Sequence, residues 1–459
     1  MTNRIILGSL HQTTVGHTSQ GFWRHPAAQA HRYAELGYWS DVAGKLDRAG
    51  VDFLFFADVV GALEDYRGTP DAALERAVEL PMIDPLLIIS ALAQSTERLG
   101  FAVTGSTTYE NPFLLARKFA TLDLVTRGRI GFNVVTSALA SAARGYGLER
   151  PFPHDERYDM ADEFLEIAYD YWEGSWADDA VVRDREAGVY TDPTKVRRIR
   201  NEGRYFRTDS IALTEPTPQR TPVVFQAGAS TRGRAFAAAH AEAIFLVHDD
   251  PVATARAVAD IRRIAAENSR DPRDVKILSM ATVVTAPTDA AAAALADEFR
   301  SYFDHEAELA QLSALFGIDL SQVDPDLPLE HAETDAIRGM LEIYTKRDAD
   351  KRWTTREIAE LNNLAGAGPL FVGSPTTVVD GLEAWIEATG VDGFNLADPV
   401  PPLTLDMLVD DVVPELRRRG LVDPVDRSAA PLTLRERLQG PGNARTRPGN
   451  HPSAARRYS

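Results

Sequence analysis

Apolar and polar positions alternate along this chain in two rhythms. Short unbroken apolar runs, the signature of strands buried on both faces, are followed by longer stretches whose apolar residues recur at helical spacing. The runs fall at residues 5–7, 51–57, 101–104, 129–135, 222–225, 243–247, 275–284 and within 390–396. The helical stretches fall at 33–49, 84–99, 111–126, 158–172, from 232 onward, 251–267, 289–303 and 376–389. Gly50 follows the first helix as a C-cap, and Asp84-Pro85 and Asn111-Pro112 open the next two. Eight strands alternating with helices predict an α/β chain closed as a parallel (β/α)8 TIM barrel. Two doubly wound sheets are the rival, but no Gly-x-Gly-x-x-Gly follows the first strand to support them.

Three segments exceed the repeat: about 60–82, 176–220 and 304–369, the second with strand-like pieces such as Arg204-Tyr205-Phe206. Long strand-to-helix loops sit over the C-terminal face of such barrels, so these are expected to cover the site, one of them as a lid. Residues 1–424 then form a single barrel domain. Residues 425–459 form a Pro/Gly/Arg-rich arm or a disordered tail, with Arg445, Arg447, Arg456 and Arg457 and no carboxylate after Gly440.

Composition narrows the chemistry. The 459 residues are 44% apolar and 25% charged, with a net charge of −18, which disfavours nucleic acid and anionic membrane surfaces as partners. There is no cysteine, which excludes thiolate nucleophiles, disulfides and thiolate metal sites. The first residues lack a signal-peptide pattern and no apolar run reaches membrane-spanning length, so a cytoplasmic location is expected.

In a barrel, polar residues at the C-terminal strand ends are site candidates, here Asp58, Thr104, Asn133, Thr136 and Ser137. Beyond the fifth strand, Gln226-Ala227-Gly228-Ala229-Ser230-Thr231-Arg232-Gly233-Arg234 turns through Gly and Ser into a helix. Such a turn offers free N–H groups and the positive end of the helix dipole to a phosphate, with Arg232 or Arg234 to add charge. The plainer reading of Ser230 is a helix cap. Amides and hydroxyls at the strand ends do not suit a metal, and Asp58 alone does not suit a two-carboxylate glycosidase. His11, His17 and His25 follow no metal spacing, and no residue is assigned as catalytic. Arg197, Arg198, Arg200, Arg204 and Arg207 are read first as a solvated face. What remains is a hydrogen-bonding floor for a planar heterocycle with a phosphate cradle at one side.

The chain resembles the nitrilotriacetate/dibenzothiophene-sulfone monooxygenase group of bacterial-luciferase-like flavin monooxygenases. The likeness runs through Phe22-Trp23-Arg24-His25-Pro26, Asp52-Phe53-Leu54-Phe55-Phe56-Ala57-Asp58, Gly131-Phe132-Asn133-Val134-Val135-Thr136-Ser137, His154-Asp155-Glu156-Arg157-Tyr158, Gln226 to Ser230 and Asp392-Gly393-Phe394-Asn395-Leu396. It implies a monooxygenase that uses FMN as FMNH2 with O2. A C4a-(hydro)peroxyflavin would insert one oxygen atom into a small organic substrate, and a separate NAD(P)H:flavin reductase would supply FMNH2. Carried over by motif, Asp58, Thr104 and Asn133 lie near the isoalloxazine, and Ser137, His154, Tyr158 and Ser230 at the ribityl and phosphate end. His154 and Tyr158, four apart, share one helix face. Phe132 stands where many relatives are expected to carry Trp. The resemblance also implies a homo-oligomer, dimer or tetramer. The alternatives are a deazaflavin-dependent oxidoreductase of the same superfamily and a flavin-binding protein without oxygenase activity.

Overall fold

The computed structural model describes residues 4–228, 230–328, 352–366 and 368–459. Part of the long 304–369 segment and Ala229 of the turn after the fifth strand lie outside the described residues. Eight strands form the barrel: β1 (Ile6–Gln12), β2 (Phe53–Ala57), β3 (Gly100–Ser106), β4 (Ile130–Val135), β5 (Val223–Gln226), β6 (Ala243–Leu246), β7 (Lys276–Thr285) and β8 (Gly393–Ala397). Each pairs in parallel with the next, and β8 pairs with β1, which closes the ring in sequence order.

The unbroken apolar runs follow from this closure, because each strand must be buried on two sides. Phe53, Phe55, Phe225, Phe245 and Leu278 point inward and fill the barrel, with the Phe225 and Phe245 rings stacked at 5.6 Å. Alternate residues point outward against the helices. Phe132 is one of these, its ring 4.6 Å from Phe119. The position where Trp was expected therefore packs the outer layer and not the site.

Local chemistry sets the helix ends. Asn111 Oδ1 accepts from the N–H groups of Phe113 and Leu114, and Gly50 closes the helix Leu36–Ala49 at φ 80°. The helix expected over 84–99 is broken into a 3-10 turn, Pro85–Leu87, and a short helix, Ile89–Gln94. Both Ser95 and Thr96 hydroxyls bond Leu92 O and end it early. The helix expected from Tyr158 starts one turn sooner, as His154–Tyr169.

Two of the long segments meet over the C-terminal face. Arg76 bonds Asp304 at 3.0 Å, and Leu370–Gly373 pairs with Thr282–Thr285, the end of β7. Residues 176–220 differ from the expectation, because they connect a helix to a strand and so depart from the N-terminal end. Gln219 there bonds Asp123 and the Ile130 carbonyl at the start of β4. The segment carries two hairpins, and residues 204–206, expected to be strand-like, form the turn between Ile199–Glu202 and Arg207–Ser210. This hairpin lies along the helix His154–Tyr169, where Glu163 accepts from the N–H groups of Tyr205 and Phe206.

The C-terminal residues are laid across the N-terminal mouth as an arm with a buried helix, Leu434–Gln439, not as a disordered tail. Leu434 enters the barrel core. A Cβ on Gly100 would lie 2.6 Å from its side chain, so the close approach requires glycine there. Arg435 is fully buried and pairs with Glu242.

Candidate functional site

The ends of β2, β3 and β4 build the floor. Thr104 and Asn133 are register partners on adjacent strands, so both side chains point inward at one level. Thr104 Oγ1 donates to Phe56 O at 2.9 Å and accepts from Asn133 Nδ2 at 2.9 Å. That bond fixes the amide and leaves Asn133 Oδ1 buried without a partner among the described residues. One level higher, Ser137 Oγ bonds Ser106 Oγ at 2.9 Å. Asp58 is half-buried just beyond β2. Burial, then the nearby charge of Asp84, pushes its carboxyl up to about 7.

β5 and the helix Thr231–His240 build the side. Ser230 caps this helix, its Oγ accepting from Gly233 N at 2.9 Å. A Cβ on Gly233 would lie 2.7 Å from Tyr158 Oη, 3.0 Å from Ser230 Oγ and 3.2 Å from Gly228 Cα. The tyrosine hydroxyl, the serine hydroxyl and two bare glycine backbones thus converge on one point at a helix N-terminus. His154 stands at the rim, half exposed and bonded to Asp155, its ring 5.2 Å from that of Tyr158. Capping and ligand binding by Ser230 are compatible, since the hydroxyl can still donate.

Both arginines of the turn are engaged by carboxylates. Arg232 lies over the Tyr158 ring but is bonded to Asp159 and Asp162, and Arg234 is bonded to Asp260. Arg157, quoted in the sequence motif but given no role there, is half-buried beside Tyr109 and Tyr158. It bonds only the Phe152 carbonyl, at 2.6 Å, among the described residues, and its Nε is buried without a partner. Burial holds its guanidinium below the ordinary range. Its position three after His154 was the available signal. The arginines of 197–207 are part of the surface: Arg198 and Arg200 bond Asp209, and Arg204 bonds Glu156.

The loop after β1 borders a cavity of about 50 Å³ lined by His11, Gln12, His17, Trp23, Tyr38 and Asp398 among others. Burial, and for His11 also the charge of His17, lowers the two imidazoles to about 3 and about 4, so both are neutral at pH 7. His25 instead lies 3.2 Å from Glu298 and packs on Phe299 and Tyr302. Beneath the covering helix His305–Phe316, Glu308 is buried and accepts from Asn362 Nδ2 at 2.9 Å. Burial raises its carboxyl to about 7. The folded chain then holds a proton that the unfolded chain loses from about pH 4.5, so stability falls as pH rises from there to about 7. Glu308→Gln should match the wild type at pH 4 and exceed it by about 2–3 kcal/mol at pH 8, read from urea unfolding at the two pH values.

Among the described residues no helix is long and apolar enough to cross a membrane. Residues 15–393 match the luciferase-like monooxygenase family. The chain is 44% identical over 454 residues to the dimethyl-sulfide monooxygenase of Hyphomicrobium sulfonivorans, covering 99% of this chain and 94% of that protein. The crystal structure of a long-chain alkane monooxygenase superposes with a TM-score of 0.90 at 42% identity over the full length of both chains. A riboflavin lyase crystallised with modified FMN and riboflavin superposes with a TM-score of 0.89 at 35% identity, over 99% of this chain and 100% of that one. The chain belongs to the luciferase-like monooxygenases, a family of flavin-dependent TIM-barrel enzymes.

Proposed function

We propose that this chain is the oxygenase component of a cytoplasmic two-component system, which binds FMNH2 from a separate NAD(P)H-dependent reductase. The observation that carries the reading is the order of groups around the rim. An orphaned amide oxygen on Asn133 and the Ser106–Ser137 pair lead to a glycine, serine and tyrosine cradle at a helix N-terminus. These suit, in turn, a polar heterocycle edge, a polyol and a phosphate. Bound reduced flavin supplies the electrons that split O2, one atom going to the substrate and the other to water.

The residues divide the rest of the work. Thr104 fixes the Asn133 amide so that its oxygen would be free to accept from a polar heterocycle, and Asp58 would add a carboxyl at the same strand ends. Ser137, Tyr158, Ser230 and the N–H groups of the helix start bind the ribityl and phosphate end, with Arg157 and His154 adding donors at the rim. Residues 60–82 and the helix His305–Phe316 would exclude water from above, which protects the reduced cofactor from wasteful discharge. The relatives named for dimethyl sulfide and for long-chain alkanes point to a small organic substrate without charge.

Anaerobic titration with FMNH2 and aerobic titration with FMN test this. The reduced form should bind more tightly, and Ser230→Ala with Tyr158→Phe should weaken it about 100-fold, for two charge-assisted bonds lost. Binding of neither form, or a preference for a deazaflavin, overturns the reading.

A further inference from the structure

Asp398 and Gln12 stand at the C-terminal ends of neighbouring strands. Asp398 directly follows β8, and Gln12 is the last residue of β1, whose Leu10 pairs with Ala397. On its other edge β1 sets Gln12 opposite Ala57, the residue before Asp58. Both side chains thus reach the C-terminal face one strand away from the floor of β2 to β4. Both line the cavity of about 50 Å³ beside the loop after β1.

Each brings an unmet acceptor to that cavity. The Asp398 side chain is 3% exposed, and its Oδ2 has no hydrogen-bond partner among the described residues. The carboxyl is held in place from its other oxygen. Val400 N donates to Thr404 Oγ1 at 3.1 Å, and the Thr404 hydroxyl donates to Asp398 Oδ1. Gln12 is 5% exposed and hydrogen-bonds the Glu79 carboxyl, which occupies its nitrogen and leaves Oε1 without a partner among the described residues.

Several donors in the walls are spent elsewhere. Trp39 Nε1 donates to Tyr33 O at 2.7 Å and Trp23 Nε1 to Arg76 O at 3.2 Å, so the two indoles offer the cavity carbon. The Thr14 hydroxyl donates to Pro81 O at 2.9 Å. His11 Nε2 is bonded to Ser9 Oγ at 2.9 Å, and its Nδ1 lies 3.9 Å from Asp398 Oδ2, beyond hydrogen-bond reach. A buried acceptor without a donor carries the full cost of its desolvation. Two of them on one cavity, opposite aromatic walls, suit a molecule that donates at one end and is apolar at the other. The space is larger than the roughly 10–15 Å³ that one water needs.

We propose that this cavity seats the substrate, and that Asp398 and Gln12 select one whose uncharged end donates an O–H or N–H, an alcohol or an amide, with its apolar remainder against Trp23 and Trp39. This rests on the flavin-monooxygenase reading of the face. It sets the chain apart from the relatives named for dimethyl sulfide and long-chain alkanes, which have no such donor. A compound of the same shape without the donor enters only by leaving both oxygens unpaired.

The test uses 2-(methylthio)ethanol and methyl propyl sulfide, which match in length and differ by a hydroxyl in place of a methyl. Calorimetry is run at pH 8, where Asp398, raised by burial to about 7, is mostly ionised. Wild type should bind the alcohol about 100-fold more tightly, as a hydrogen bond to a charged group provides. Asp398→Asn and Gln12→Met should each cut that preference about 10-fold, by weakening the alcohol while the sulfide keeps or gains affinity. Variants that weaken both ligands together overturn the assignment, because the side chains then serve packing. Equal binding by wild type overturns it. So does binding of neither ligand by protein that binds FMN, since buried water then satisfies the two oxygens. The titrations are made with flavin-free and FMN-loaded protein. A wild type that binds no FMN defeats the flavin reading instead, and the preference of the flavin-free protein still decides what the cavity takes.

Discussion

Replacing Arg435 by alanine is expected to cost about 3–5 kcal/mol of stability, more than any other single change considered, read as a lower urea midpoint at unchanged slope. Its Nε and Nη2 bond the two oxygens of Glu242 at 2.7 and 2.8 Å. Its remaining donors satisfy the carbonyls of Thr221, at 2.7 Å, and Ala444, at 2.9 Å. Burial works to raise the Glu242 carboxyl, but the charge and hydrogen bonds of Arg435 hold it below its ordinary range. Truncation to alanine strands that carboxylate inside the protein. The cost therefore comes from the partner left behind, and a second substitution separates the terms. Arg435→Met with Glu242→Leu, which buries no charge, should recover most of the loss. A double variant as unstable as Arg435→Ala would show instead that packing of the arm sets the cost.

The contrast between this residue and the barrel shows what a sequence makes legible. A strand buried on two faces must be apolar throughout, so β2 and β7 announce themselves, and the helix Pro251–Glu267 is framed by Asp250-Pro251 and helical periodicity. The helix Leu434–Gln439 has too few residues for a period and sits among glycines, prolines and arginines. What orders it is Glu242, 193 positions away. Residues 176–220 were misplaced for a related reason. Length marks an insertion, but only its place after a helix and before a strand says which barrel end it leaves.

The floor of the candidate site was legible as an arrangement because strand ends are: Thr104 and Asn133 face each other by register alone. The charges were not. Arg232 looks free in sequence, and its partners Asp159 and Asp162 come from another helix.

Gly233→Ala should lower FMN affinity about 100-fold while leaving the fold intact. Alanine is favoured over glycine in a helix by about 1 kcal/mol, so the helix Thr231–His240 tolerates the change. The added methyl, however, would occupy the point 2.7 Å from Tyr158 Oη and 3.0 Å from Ser230 Oγ. That separation is too short for a carbon, so one hydroxyl must swing away and two donors lose their common target. Riboflavin provides the control, because it carries the same ring and polyol but no phosphate. If the cradle holds phosphate, wild type prefers FMN strongly and the variant loses that preference, with riboflavin affinity nearly unchanged. If both ligands weaken equally, the methyl disturbs the whole face, and the convergence of Tyr158, Ser230 and Gly228 serves packing of the two helices. Salt dependence separates the cases again. Binding to a phosphate through charge-assisted donors weakens as ionic strength rises, and binding through ring contacts does not.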